Sequence, residues 1–318
     1  MQKIFIYIII FLIIGFSIPI NIVSAQYDNI YKINHIINSL DNHLFSTYYY
    51  LQVETASNLG KSVMPILIKS LADERYNIRC FAADVLGNIR MRDKIAIPYL
   101  VEASTDKHPM VRQSVGIALT KYLDLNNQEV IASLKKLLQD NVWEVRTGVL
   151  NSLGVKKIKI FMPEIIKMLS DEHEWVRVSA IDALEKAKDI QVMQFLRKLF
   201  DDPQEFVKVR AYHVAAKMDK SIIEECLIEL KNDDTNIRKF AIKKLGWIAD
   251  KNTINNLVEL ISEVDIEEQG LIALSLSEIC WENPGLIGEI KHLCNSSNNK
   301  IKKVAEMILY YIEQSVYD

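Results

Sequence analysis

The sequence predicts an all-α protein, a right-handed α-α superhelix: a solenoid of stacked helix pairs. Three observations predict it. Four successive blocks headed by Asp, from Asp73 to Asp171, each carry Arg six positions after the Asp, and the pattern continues with substitutions as far as Lys302. The step from one Arg position to the next stays between 30 and 34 residues. Apolar residues on both sides of each block's loop fall at helical spacing. A fixed period of this size marks an array whose units bury their apolar faces only against one another.

The first segment stands apart from the array. "MQK" is followed by the apolar stretch "IFIYIIIFLIIGF" and by "SIPINIVSA", with Val23 and Ala25 at the small-residue positions of a cleavage site. This reads as an export signal over 1–25. Gly15, Pro19 and Asn21 interrupt the run before it reaches the ~20 apolar residues of a comfortable span, so an uncleaved anchor is the lesser reading. The protein is therefore expected outside the cytoplasm, periplasmic or extracellular, with no stable membrane span after cleavage. Beyond Ala25 the chain keeps every basic residue but Lys3 of its 38, against 41 acidic ones, a formal charge of −4. No net basic face points to nucleic acid. Cys80, Cys226, Cys280 and Cys294 form no C-x-x-C; buried free thiols are expected, with Cys280 and Cys294 the one pair close enough in sequence to bond.

Residues 26–60 read as a divergent capping pair, with "INHIINSLDNHL" and "LFSTYYYLQVETASNLG" as its two helices. The array then fills 61–318. "DERYNIRCFAADVLG" starts at Asp73, "DKHPMVRQSVGIALT" at Asp106, "DNVWEVRTGVLNSLG" at Asp140 and "DEHEWVRVSAIDALE" at Asp171. Their Arg positions are Arg79, Arg112, Arg146 and Arg177, and the series continues through Lys208, Arg238, Gln269 and Lys302. Ahead of each Asp lies a first helix, "PILIKSLAD" or "PEIIKMLSD", opened by Pro65, Pro98 or Pro163 where a missing N–H costs nothing. The second helix follows the Arg, and the Asp-to-Arg interval is the loop between them. Gly87, Gly154 and Gly246 sit near its end, suited to a left-handed residue or a close helix approach.

The repeated pair has a physical purpose. The Asp is expected to cap the following helix, since its carboxylate accepts from unpaired backbone N–H groups. The Arg carries five donors in a planar fork and can reach a carboxylate or loop carbonyls, those of the adjacent copy included. Recurrence makes Asp73, Arg79, Asp106, Arg112, Asp140, Arg146, Asp171, Arg177 and Arg238 scaffold residues. His173 and Glu174, the one His-Glu pair, fall in the variable loop and have no second pair to complete a metal site. No cofactor or metal is expected. No H-E-x-x-H, G-x-S-x-G, phosphate-cradling glycine loop or calcium loop is present.

With its Asp, Val-Arg, Ala-rich helix and Leu-Gly, a unit such as "DERYNIRCFAADVLG" resembles the HEAT-like repeats of the phycobilisome-lyase type. The resemblance runs from about Asn58 to Gln314 and is specific for architecture. It implies a right-handed HEAT-repeat solenoid, a scaffold shared by pigment lyases, a hydroxylase, DNA-repair glycosylases and many adaptors. The hydroxylase carries its iron on several His-Glu motifs, of which one is here. The pigment lyases work inside photosynthetic cells, against the export signal, and the glycosylases need a basic groove. Fold by itself licenses none of these activities.

A non-catalytic scaffold that binds another protein or an extended peptide on its concave face is the reading that remains. An accessory subunit of an envelope enzyme or transport complex is the alternative, and a lyase or other enzyme on this scaffold the weaker one. Oligomeric state is left open. Positions two, five and nine beyond the Arg should line the concave face. They are Phe81, Asp84 and Asn88; Ser114, Ile117 and Lys121; Gly148, Asn151 and Val155; Ser179, Asp182 and Lys186; then Leu271, Leu274 and Glu278 after two further copies. Those two copies place Arg210, His213, Lys217, Phe240, Lys243 and Trp247 together. This basic and aromatic cluster is the expected partner-binding patch, although Phe240 and Trp247 also suit packing. Trp143 and Trp175 are expected in the loops, packing between copies.

Overall fold

A computed structural model describes residues 20–40, 46–89, 93–123 and 127–314. The export signal expected at 1–25 lies outside them except at Ile20 onward, where the first helix begins. Among the described residues there is no strand, and no helix is long and apolar enough to cross a membrane. They form two compact units, up to Ser152 and from Leu153 onward.

Unit 1 contains α1 (Ile20–Ser39), α2 (Thr47–Asn58), α3 (Met64–Ser70), α4 (Tyr76–Asn88), α5 (Ile97–Ala103), α6 (Pro109–Tyr122), α7 (Gln128–Leu137) and α8 (Trp143–Ser152). Unit 2 contains α9 (Val155–Ile158), α10 (Met162–Met168), α11 (Glu174–Ala187), α12 (Met193–Leu196), α13 (Glu205–Met218), α14 (Ser221–Glu229), α15 (Thr235–Ile248), α16 (Ile254–Leu260), α17 (Ile266–Glu282), α18 (Ile287–Leu293) and α19 (Asn299–Gln314). Within each unit a short first helix packs on a longer second helix, and second helices of successive copies pack on one another.

The first helices are too short to persist alone; α3, α5 and α10 have seven residues each, and isolated helices below about 12 residues are marginal in water. Burial holds them: Leu67, Leu100 and Ile165 are fully buried. Pro65, Pro98 and Pro163 occupy the first helical turn, where their fixed φ favours initiation.

Each second helix begins three residues ahead of its Arg, so that Arg79, Arg112, Arg146 and Arg177 lie in the first turn and not in the loop. The loop is correspondingly tighter than the Asp-to-Arg interval. Trp143 likewise opens α8, and Trp175 is the second residue of α11. The Asp does not cap the helix. Oδ1 of Asp106, Asp140 and Asp171 accepts the N–H of His108, Val142 and His173, two positions on, at 2.8, 3.0 and 2.9 Å. This is an Asx turn that closes the loop just before the helix, because the Asp stands two residues ahead of the N-cap position and does not reach the helix's own unpaired donors.

Of the three glycines, two mark close helix approaches and one does not. A Cβ on Gly87 would stand 2.9 Å from Ala118 Cα, and one on Gly246 would stand 2.9 Å from Ser275 Cα. Gly154 precedes α9 with φ −79° and has open space around it. Gly87→Val is therefore expected to cost about 3 kcal/mol through overpacking, whereas Gly154→Ala should change stability by less than ~0.5 kcal/mol. Paired urea melts of the two variants check this; equal midpoints would remove the close-approach role of Gly87.

Candidate functional site

The repeated polar residues form a ladder along the first turns of the second helices. Arg79 Nε and Nη2 donate to Asp106 at 2.7 and 2.9 Å, and Arg112 does the same to Asp140 at 2.7 and 2.8 Å. In unit 2, Arg177 donates to Asp202 through both nitrogens at 2.7 Å. The third nitrogen turns back: Nη1 of Arg79, Arg112, Arg146 and Arg177 donates to the carbonyl of its own Asp73, Asp106, Asp140 and Asp171. Each rung thus ties one copy's helix start to its own loop and, where the acceptor is an Asp of the next copy, to that neighbour.

Electrostatics explain why the rung needs both members. An Arg in the first turn of a helix faces the positive end of the helix dipole, and the neighbour's carboxylate offsets that. Burial pushes Asp106 and Asp140 upward, but the paired guanidinium and the loop N–H outweigh it and hold both carboxyls below their ordinary range. Asp73, at the start of the series, instead takes Arg75 at 3.0 Å. Arg238 reaches Glu268 at 2.9 Å, and Gln269 in the next slot still donates to loop carbonyls of Ile261 and Val264. Where Lys208 replaces Arg, the following copy has Asn232 in place of Asp.

His173 belongs to this scaffold too. It is the N-cap of α11, its Nδ1 accepting the Trp175 N–H at 3.3 Å. Among the described residues no group of three His, Cys, Asp or Glu is placed to hold a metal ion. All four cysteines are free thiols, and burial pushes Cys80 up to about 12 and Cys226 and Cys280 up to about 11.

With the ladder consumed by architecture, the second-helix face is what faces solvent. Its exposed stripe is narrower than helical spacing alone predicts. Phe81, Ser114 and Ser179, expected on that face, are buried. Each interior second helix has neighbours on three sides, its own first helix and the second helices before and after it. In these three copies the buried arc extends to position two, whereas Arg210, Phe240 and Leu271 at the same register keep some exposure. Position five stays partly open at Asp84, Ile117, Asp182 and His213, and Asn88, Lys121, Lys186 and Lys217 are exposed at position nine.

The expected patch on α13 and α15 divides on the same grounds. Trp247 is 8% exposed, packed on Tyr212 and Phe240 at ring distances of 5.8 and 5.9 Å, so it is a core residue and not a partner anchor. Phe240 remains 39% exposed and Lys243 is exposed. Arg210 is held by Asp182 and Glu185, both at 2.6 Å, and Lys217 by Glu185 at 3.1 Å. His213 Nδ1 donates to the Ile248 carbonyl at 3.1 Å, and burial, with Lys217 and Arg210 nearby, holds its pKa below the ordinary value. The positive charge that the residue types promised is thus largely neutralised by carboxylates of α11. A further pairing has no counterpart in other copies: buried Lys244 meets Glu229 and lies over the Phe240 ring at 4.9 Å.

In unit 1 the same face opens into a cavity of about 450 Å³ lined by Tyr50, Val53, Asp84, Asn88, Gln113, Ser114 and Ile117. Asp84 Oδ2 accepts the Tyr49 hydroxyl at 2.6 Å. A larger cavity of about 680 Å³ lies on the loop edge and includes the Arg79–Asp106 rung.

These helix pairs are similar to HEAT repeats: a family model of that description matches residues 64–154. No curated protein matches it. Among solved structures, the E. coli protein YibA aligns at 17% identity and a TM-score of 0.51, covering 83% of this chain and 98% of that one. The karyopherin Kap121p bound to the SUMO protease Ulp1p aligns at 15% identity and a TM-score of 0.54, over 89% of this chain and 37% of that one. The CpcE–CpcF phycocyanin lyase complex of a Nostoc species aligns at 17% identity, over 77% of this chain and 93% of that one, with a TM-score of 0.40. At these identities the likeness concerns fold.

Proposed function

We propose that this protein is an exported, non-catalytic scaffold that binds another polypeptide on the second-helix face of its repeats. The observation that carries the reading is the division of labour among the polar residues. Arg79, Arg112 and Arg177 are spent on rungs to Asp106, Asp140 and Asp202 of the neighbouring copies, and the variable residues lie on the second-helix face, beside the cavity lined by Asp84, Asn88, Ser114 and Ile117. An elongated run of non-repeating side chains on a repeating frame suits recognition of an extended chain. The karyopherin Kap121p, similar in fold, is bound to the SUMO protease Ulp1p, which supports the same use of the fold. Export rests on the apolar leader that ends at Ala25, and the mature chain would then begin at Gln26.

Affinity capture of the tagged full-length chain from its native source tests the reading. Ile117→Glu with Leu274→Glu places charge on the second-helix face of each unit, where Leu274 is 44% exposed. Ile228→Glu places the same charge on a first helix, at a side chain 73% exposed. Polypeptides captured by the wild type should be lost from the double variant and kept by Ile228→Glu. Equal capture by all three would sink the proposed face.

A further inference from the structure

Asp84 stands out among the groups on the second-helix face because it is a partly buried carboxylate with no cation beside it among the described residues. Its contacts are the Tyr49 hydroxyl at 2.6 Å and Ser114. Among the described residues no Arg, Lys or His pairs with it. Elsewhere in unit 1 the buried carboxylates of Asp106 and Asp140 each hold a bidentate guanidinium. A carboxylate stripped of part of its hydration and given no counter-charge normally carries a free-energy cost. Here the side chain faces an open cavity of about 450 Å³.

The cavity's walls match a particular visitor. Val53 and Ile117 are apolar, and the Tyr50 ring is 56% exposed at the rim. Apolar walls take the methylene stem of a long basic side chain, and an aromatic rim with a carboxylate at the base takes its charged head. We infer that this cavity is a receptor for a lysine or arginine side chain of the bound polypeptide, with Asp84 as its counter-ion. The inference rests on the second-helix face being the binding face.

Proton linkage gives the site a distinctive behaviour. Burial pushes Asp84 up to about 6, although its hydrogen bonds from Tyr49 and Ser114 pull the other way. The other titratable groups coupled to it are Tyr49 and Tyr50 on α2 and Cys80 on α4. Burial raises all three above their ordinary values, so they stay protonated through neutral pH. Only Asp84 changes charge in this cluster between pH 5 and 7.5. A cation binds the ionised form and draws its pKa down. Affinity should therefore fall as pH drops through 6, by about tenfold from pH 7.5 to 5.

The test uses the full chain and three labelled alanine-based peptides with one central residue: arginine, its neutral isostere citrulline, or glutamate. Fluorescence polarisation at pH 7.5 should show the arginine peptide binding at least tenfold more tightly than the other two. Asp84→Asn, which keeps an acceptor for Tyr49, should remove that preference and flatten the dependence on pH, with an unchanged circular-dichroism spectrum. No preference for arginine, or a preference that survives Asp84→Asn, would overturn the assignment. Capture of native polypeptides by the same variant separates the two proposals. If Asp84→Asn captures them as well as wild type while the Ile117→Glu, Leu274→Glu variant does not, the binding face stands and the basic-side-chain site falls.

Discussion

Arg177→Ala is expected to destabilise unit 2 by about 3–5 kcal/mol, the range for breaking a buried ion pair from one side. Arg177 and Asp202 side chains are 9% and 4% exposed. The guanidinium makes two bonds to Asp202 and two to the carbonyls of Asp171 and Glu172. Truncation leaves the Asp202 carboxylate buried, with the Gln204 N–H donating to it at 2.9 Å but no cation left from Arg177. Arg197 offers the matched control, because it also grips a carboxylate with two nitrogens, Glu225 at 3.1 and 2.8 Å. That pair is 42% and 52% exposed, so Arg197→Ala should cost less than ~1 kcal/mol. Arg177→Lys should fall between them, keeping the charge but not the planar fork. Urea midpoints followed by circular dichroism rank the three. If Arg177→Ala proves as mild as Arg197→Ala, the ladder is ornament on a fold held by apolar packing alone.

The ladder was legible in the sequence as composition, but not as connectivity. Recurrence named Arg79, Arg112 and Arg177 as scaffold residues, yet an Arg six positions after an Asp can serve its own loop or the next copy. In the fold it serves both at once, and the Asp accepts a loop N–H where a helix cap was expected. A signal for the connection was present. Lys208 replaces Arg in one copy and Asn232 replaces Asp in the next, a paired change that fits partners across neighbouring copies better than partners within one. Features that occur once were not legible, because a period carries no information about them. Tyr49 on Asp84 and Lys244 on Glu229 join residues 35 and 15 positions apart that have no equivalents along the array. The neutralisation of the basic patch was hidden for a related reason. Arg210 was read with its neighbours on α13 and α15, while its partners Asp182 and Glu185 come from α11.

The second-helix register yields the other large effect. Phe81 sits at position two beyond Arg79, where helical spacing turns it toward solvent, yet it is fully buried. Its ring meets Tyr49 edge-on at 6.1 Å, the same Tyr49 whose hydroxyl binds Asp84. Phe81→Ala should therefore cost about 3–5 kcal/mol, the penalty for emptying a closed core site. Phe240 holds the equivalent position two copies from the C-terminal repeat but is 39% exposed, so Phe240→Ala should cost nearer 1 kcal/mol, for the apolar area it does bury. The difference reflects neighbours and not residue type: the same side chain at the same register is core in one copy and rim in another. Phe81→Leu should recover most of the loss, since it refills much of the volume. Because the ring also buttresses Tyr49, Phe81→Ala should weaken the arginine-peptide preference in the fraction that stays folded, whereas Phe240→Ala should leave it untouched. Equal costs for the two truncations would mean that the exposed stripe keeps its full width, and that position two of unit 1 is available to a partner after all.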